Sequence, residues 1–226
     1  MSETELLKPE SWLWHLLGLI NPLIVMASNI VGGFWVASGV IYMLGLGPLL
    51  DVFFGRASKP KPPRESGRPF EALLYVHAFI QFAVLATLLY RASIDGSAWT
   101  TWVAALSTGI SSGVSGIIVA HELGHTKKGS FSWWVGRLNL LSVLYLHFTT
   151  EHNFTHHKHV STVKDPATAL RGESLWWFVA RTVPGQFRDA AAVHHRKGRT
   201  GFRNPVYRGL LLQIVLVTGM FVAVGP

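Results

Sequence analysis

The stretch WTTWVAALSTGISSGVSGIIVAHELGH, residues 99 to 125, decides how the rest of the chain is read. From Trp99 to Ala120 it carries no charged residue, and about 20 predominantly apolar residues are what a helix needs to cross a bilayer. Its small residues, STGISSGVSG, belong to helices that approach each other closely inside a membrane bundle. It ends in His121-Glu-Leu-Gly-His125, two imidazoles at i and i+4 that share one helix face. The expectation is an all-α, polytopic transmembrane helix bundle with a histidine-rich metal site at its cytoplasmic face.

The flanking sequence extends this topology. Residues 12–50 are apolar almost throughout, too long for one span and suited to a hairpin of two, 12–30 and 33–50, with Asn29, Gly32 and Gly33 at the turn. The segment RASKPKPPRESGR, 56–68, sets Arg56, Lys59, Lys61, Arg64 and Arg68 against Glu65. Such an excess of positive charge marks a cytoplasmic loop, and its prolines favour an extended connection. A third span covers 70–90, the fourth 99–120 and a fifth 207–225, with Arg91 and Asp95 in a short outer loop. Residues 121–206 then form a cytoplasmic or interfacial part of a single membrane domain, 1–226. Phe131 to Phe148 is just long enough to cross, but crossing would put the two histidine clusters on opposite sides. Arg137, Asn139 and His147 also interrupt it, so a helix lying in the interface or buried against the bundle is expected. The N-terminus, MSETELLKPE, is acidic and polar and does not read as a cleaved signal peptide.

Composition agrees. Of 226 residues, 49% are hydrophobic and 14% charged, against about a quarter charged in soluble domains. The absence of cysteine excludes a thiolate-ligated haem, an iron–sulfur cluster, a Cys-type zinc site and a disulfide within this chain. The net charge of +8 sits in loops beside apolar segments, which speaks for membrane topology and against nucleic acid.

Eleven histidines remain as candidate ligands. The second cluster, Glu151-His-Asn-Phe-Thr-His-His157, sets His152 and His156 at i and i+4, with His157 about 100° further round a regular helix. Imidazole suits iron, zinc, copper or nickel. Each ligand ring usually has its other nitrogen held by a carboxylate or carbonyl, and Glu122, Glu151 and Asp165 are near enough in sequence to serve. His15 and His77 fall inside spans, where a structural hydrogen bond is the simpler role. His159, His194 and His195 stand among Lys and Arg and are expected to be solvated or headgroup-facing. HELGH also fits the zinc-protease pattern HExxH, with Glu122 as general base, so an intramembrane metalloprotease stays open; it leaves His152, His156 and His157 mostly unemployed. A metal carrier is a further alternative, although transporters hold their ligands near the membrane midplane.

HELGH at 121–125, LHFTTEHNFTHHKHVSTVKDPATA at 146–169 and RGESLWWFVARTVPG at 171–185 together resemble the membrane alkane 1-monooxygenases, or alkane ω-hydroxylases. The resemblance implies two non-haem iron ions on His121, His125, His152, His156 and His157, with His147 in a supporting position. It implies O2-dependent hydroxylation of a terminal alkane carbon, electrons from rubredoxin and rubredoxin reductase, and a bacterial inner membrane location with the site facing the cytoplasm. A related fatty-acid desaturase or hydroxylase is the neighbouring class. Family members continue into a C-terminal segment with further histidine motifs that this sequence lacks. These 226 residues alone are therefore expected to be inactive.

Overall fold

Backbone groups in lipid have no water to bond, so a spanning segment must satisfy them internally, which a helix does. The computed structural model describes residues 9, 11–54, 62 and 66–224, and the described residues contain no strand. Among the described residues five helices are long and apolar enough to cross a membrane: α1 Trp12–Val31, α2 Gly33–Phe54, α3 Arg68–Asp95, α4 Trp99–Gly124 and α8 Pro205–Val224. The chain is a multi-pass membrane protein. Between α4 and α8 lie α5, Phe131–Ser142; α6, formed by Phe148–Glu151, a π-helical turn His152–His156 and His157–His159; and α7, Leu175–His195. At 12 residues, α5 rises about 18 Å and is too short to span. The extended connection expected over 56–68 falls mostly outside the described residues.

The chain divides into two compact units, one running to Ala120 and one comprising His121–Ala223. In the first, α1 packs on α3 and α4, and the small residues of α4 let the helices meet. A Cβ on Gly39 of α2 would stand 2.6 Å from Val25 and 3.0 Å from Ser107. The serines also supply bonds across the bundle. Gln81 donates to Ser112 Oγ at 2.9 Å, His77 Nδ1 lies 3.2 Å from Ser115 Oγ, and Asn29 donates to Thr87 and Thr108 at 3.3 and 3.2 Å. His77 thus has the structural hydrogen bond expected of it. The α1–α2 turn is at Gly32 and Gly33, with φ of +79° and +58°, while Asn29 is a buried residue of α1 rather than part of the turn.

Arg91 and Asp95 do not lie in a loop. They form the last turns of α3, where Arg91 is buried and donates to Asn29 O and Ile30 O at 2.8 Å each, and to Asp95 at 3.0 Å. A guanidinium is well matched to the unsatisfied carbonyls and negative dipole at the end of α1.

In the second unit α7 packs on α6. Asn204 joins α8 to α7: its Nδ2 donates to Ala191 O at 3.0 Å while its Oδ1 accepts from Val206 N at 3.0 Å. Gln213 of α8 accepts from Leu146 N at 2.9 Å, ahead of α6.

Candidate metal centre

One histidine pair comes from the end of α4, where HELGH closes the helix. His121 Nδ1 stands 3.0 Å from Glu122 Oε1. A carboxylate only accepts, so His121 carries its proton on Nδ1 and turns a bare Nε2 lone pair the other way. That Nε2 lies 3.3 Å from His125 Nε2.

The other pair comes from α6, and its helix is not regular. In an α-helix, positions five apart are about 140° apart around the axis and their side chains do not meet. The wider π turn at His152–His156 removes that separation, and His157 Nε2 comes within 3.0 Å of His152 Nε2. Such π segments are frequent at functional sites. The same turn sets the rings of His152 and His156 in a stack, 5.2 Å between centroids.

His121, His125, His152 and His157 each offer one nitrogen, and the four lie within 4.8 Å of one another. Rings of the two pairs interleave, with His121–His152 centroids at 4.4 Å and His125–His157 at 5.1 Å. Burial, followed by His121, His157, His156 and His125, pushes His152 down to about 3. Burial, then His121 and His157, also lowers His125. Both therefore present lone pairs at neutral pH. An ion bonded at about 2.1 Å to each of several nitrogens separates neighbouring nitrogens by about 3.0–3.4 Å, which matches the 3.0 and 3.3 Å observed. The donor set thus fits a metal of the imidazole-binding group.

His156 stands apart from this quartet. Its Nδ1 is 2.9 Å from Asp165 Oδ2, the carboxylate arrangement that orients a ligand ring. Burial pushes the Asp165 carboxyl up, but hydrogen bonds from Thr168, the Ala167 backbone and His156 outweigh it and leave it below its ordinary value. Asp165 is held by the segment DPATALRGES. Arg181 of α7 donates to both oxygens of Glu173, at 2.7 and 2.8 Å, and to Pro166 O and Thr168 O. Thr182 donates to Pro166 O at 2.6 Å. Arg181 in turn holds the Glu173 carboxyl down at about 2. Arg181, Thr182 and Glu173 escaped the sequence reading. The charge alternation RGES…R, eight residues from Glu173 to Arg181, was the available signal.

Two other sequence candidates lie buried nearby. Glu151 is fully buried, with no hydrogen-bond partner for either carboxylate oxygen among the described residues; burial, then Asp165 and Asp189, raises it to about 7. His147 is buried edge-on against Phe187, its Nε2 likewise unpartnered, and burial, then Arg137, lowers it to about 4. His194, expected to be solvated or headgroup-facing, is half-buried with Nε2 3.5 Å from Thr150 Oγ1. His15 is exposed and meets Phe70 edge-on at 4.9 Å.

The chain is similar to alkane 1-monooxygenase of Pseudomonas putida, 33% identical over 216 residues, which is 86% of this chain and 53% of the relative. It is similar to alkane 1-monooxygenase 1 of Alcanivorax borkumensis, 32% identical over 97% of this chain and 57% of the relative. Alkane 1-monooxygenase 1 of Pseudomonas aeruginosa is 33% identical over 95% and 60%. The chain thus spans about half the length of the curated relatives it matches. Residues 97–226, which hold both histidine pairs and the segment behind them, match the model of the fatty acid desaturase family. By that match, over more than half of its length, the chain belongs to the fatty acid desaturase family.

Proposed function

We propose that this chain carries the histidine site of a membrane non-haem di-iron monooxygenase that hydroxylates the terminal carbon of alkanes. The observation that carries the reading is the convergence of His121, His125, His152 and His157, with all four donor nitrogens within 4.8 Å. Four nitrogens suffice for one ion. For a second, His156 and the unpartnered carboxyl of Glu151 are the candidates on this chain. Iron held there would supply the reduction of O2 and insertion of one oxygen atom into a C–H bond, the other leaving as water with two protons and two electrons from outside.

The chain's own residues bind and orient. Glu122 fixes the tautomer of His121 and Asp165 that of His156, so each turns Nε2 away from its carboxylate. An alkane partitions into lipid at roughly 0.8 kcal/mol per CH2, so a substrate can arrive sideways through the bilayer. The absence of cysteine excludes a cysteine-ligated iron–sulfur donor within these residues; rubredoxin and its reductase are the proposed electron donors, reaching a site on the cytoplasmic side of a bacterial inner membrane. The desaturase-family match favours fatty-acid desaturation or hydroxylation as a second reading. A zinc protease is less well supported, because Glu122 is engaged on the Nδ1 side of His121, away from the nitrogen that faces the other rings.

The test uses the full-length protein, purified in detergent, loaded with Fe(II) and supplied with rubredoxin and its reductase. Products from octane, hexadecane, xylene and a fatty acid are identified by mass spectrometry. Terminal alcohols from alkanes support the proposal. Turnover of the fatty acid alone selects the second reading, and one tight zinc with no iron refutes both.

A further inference from the structure

Within residues 121–223, a cavity of about 290 Å3 is lined by Lys128, Arg137, Lys197 and Arg199, and by no carboxylate among the described residues. Lys128, Lys197 and Arg199 are exposed, and none of the four forms an ion pair among the described residues. Arg137 donates to the carbonyl of Leu146. Four like charges around one cavity repel each other unless an anion sits among them.

The uncharged lining is built for the same ligand. Thr126, Thr149, Thr150 and His194 line the cavity as well. His194 Nδ1 is shut off from water and has no hydrogen-bond partner among the described residues, while Nε2 faces Thr150. Burial, followed by Arg199, Lys197, Lys128 and Arg137, lowers the His194 pKa, so all four cations act on this one ring. Several cations beside polar side chains offer many donors to a multi-oxygen anion, and phosphate provides three or four acceptor atoms.

The source of the phosphate follows from α5. Its outer face exposes Phe131, Trp134 and Leu138, at i, i+3 and i+7, at 67%, 56% and 52%. An apolar stripe on a short helix rich in tryptophan belongs at headgroup depth. The other face of the same helix gives Trp133 and Arg137 to the cavity, with the guanidinium 5.7 Å over the Trp133 ring. Lys197 lies 4.7 Å over Phe154, so apolar surface adjoins cationic surface as a headgroup and its glycerol would require. We propose that this cavity binds the phosphate of an anionic membrane phospholipid.

The test takes the full chain, delipidated in detergent, and measures binding of short-chain phosphatidylglycerol, inorganic phosphate and poly-aspartate. Phosphatidylglycerol should bind saturably, at least tenfold more tightly than phosphate or poly-aspartate. Binding should weaken at least tenfold in the double variant Lys197→Gln, Arg199→Gln. Removing two exposed cations outside the cavity, Lys164→Gln and Arg171→Gln, should change it less than twofold. Both pairs are exposed, so folding is not at risk. Equal weakening by the two pairs, phosphate as tight as the lipid, or poly-aspartate tighter than the lipid would each overturn the proposal. No metal enters the measurement, so its failure leaves the proposed oxygenase site untouched.

Discussion

Substituting Gly185 by Ala should loosen the metal site from a distance. The residue is buried in α7, and an added Cβ would stand 2.7 Å from Pro166 Cβ, where ordinary contact begins at 3.4 Å. Pro166 must therefore retreat by about 0.7 Å or more. It is not free to do so, because its carbonyl accepts from Thr182 at 2.6 Å and from Arg181 at 3.2 Å. Overpacking of this kind costs about 1–3 kcal/mol, and the better helix propensity of Ala returns about 1 kcal/mol. The net loss is about 0–2 kcal/mol of stability, a modest figure. The local effect is larger, because Pro166 adjoins Asp165, whose 2.9 Å contact with His156 has little slack. Disturbing a carboxylate that orients a ligand typically weakens metal binding about 10–100-fold. Titration with Fe(II) or Co(II), beside a thermal unfolding curve in detergent, reads both quantities. A raised melting temperature with unchanged metal affinity would show that only helix propensity had changed and would refute the coupling.

Three other substitutions separate the parts of the structure. His157→Ala removes a nitrogen of the quartet and should abolish tight binding of one ion, whereas His156→Ala should weaken it less; the reverse order in a metal titration would favour a regular helix at this site. His147, held at about 4, stays neutral in the folded chain while an unfolded histidine protonates below about 6.5. Its contribution is thus complete above pH 6.5 and lost as pH falls to about 4, by at most about 3 kcal/mol; His147→Phe should flatten that slope relative to the parent chain in pH-dependent unfolding, and an unchanged slope would exclude the assignment. Gly32→Ala should destabilise by about 1–3 kcal/mol, since φ there is +79° and a Cβ would lie 2.4 Å from Arg91 Nη1; an unchanged melting temperature would show that Arg91 yields freely.

Much of this protein is legible in its sequence because lipid imposes one rule. Apolar segments of about 20 residues with few or no charges must form helices, and the five apolar runs did so, with boundaries shifted by a few residues. HELGH was equally readable, because i, i+4 spacing on an ordinary helix puts two rings on one face whatever surrounds them. Periodicity failed where the helix is not ordinary. An α-helix pairs His152 with His156, and only the π turn brings His157 to His152 instead. Arg91 read as a loop charge because its partners, the carbonyls ending α1, lie about 60 residues away in the chain. Arg181 received no role from the sequence for the same reason: the Pro166 and Thr168 carbonyls it holds are known only once the segment has folded back on α7. His194 was expected to be solvated or headgroup-facing among basic neighbours, and folding places it half-buried in the cavity they share. Local spacing fixes which rings one regular helix can bring together; burial, tautomer and the pairing of charges depend on neighbours distant in sequence, and these the tertiary structure alone decided.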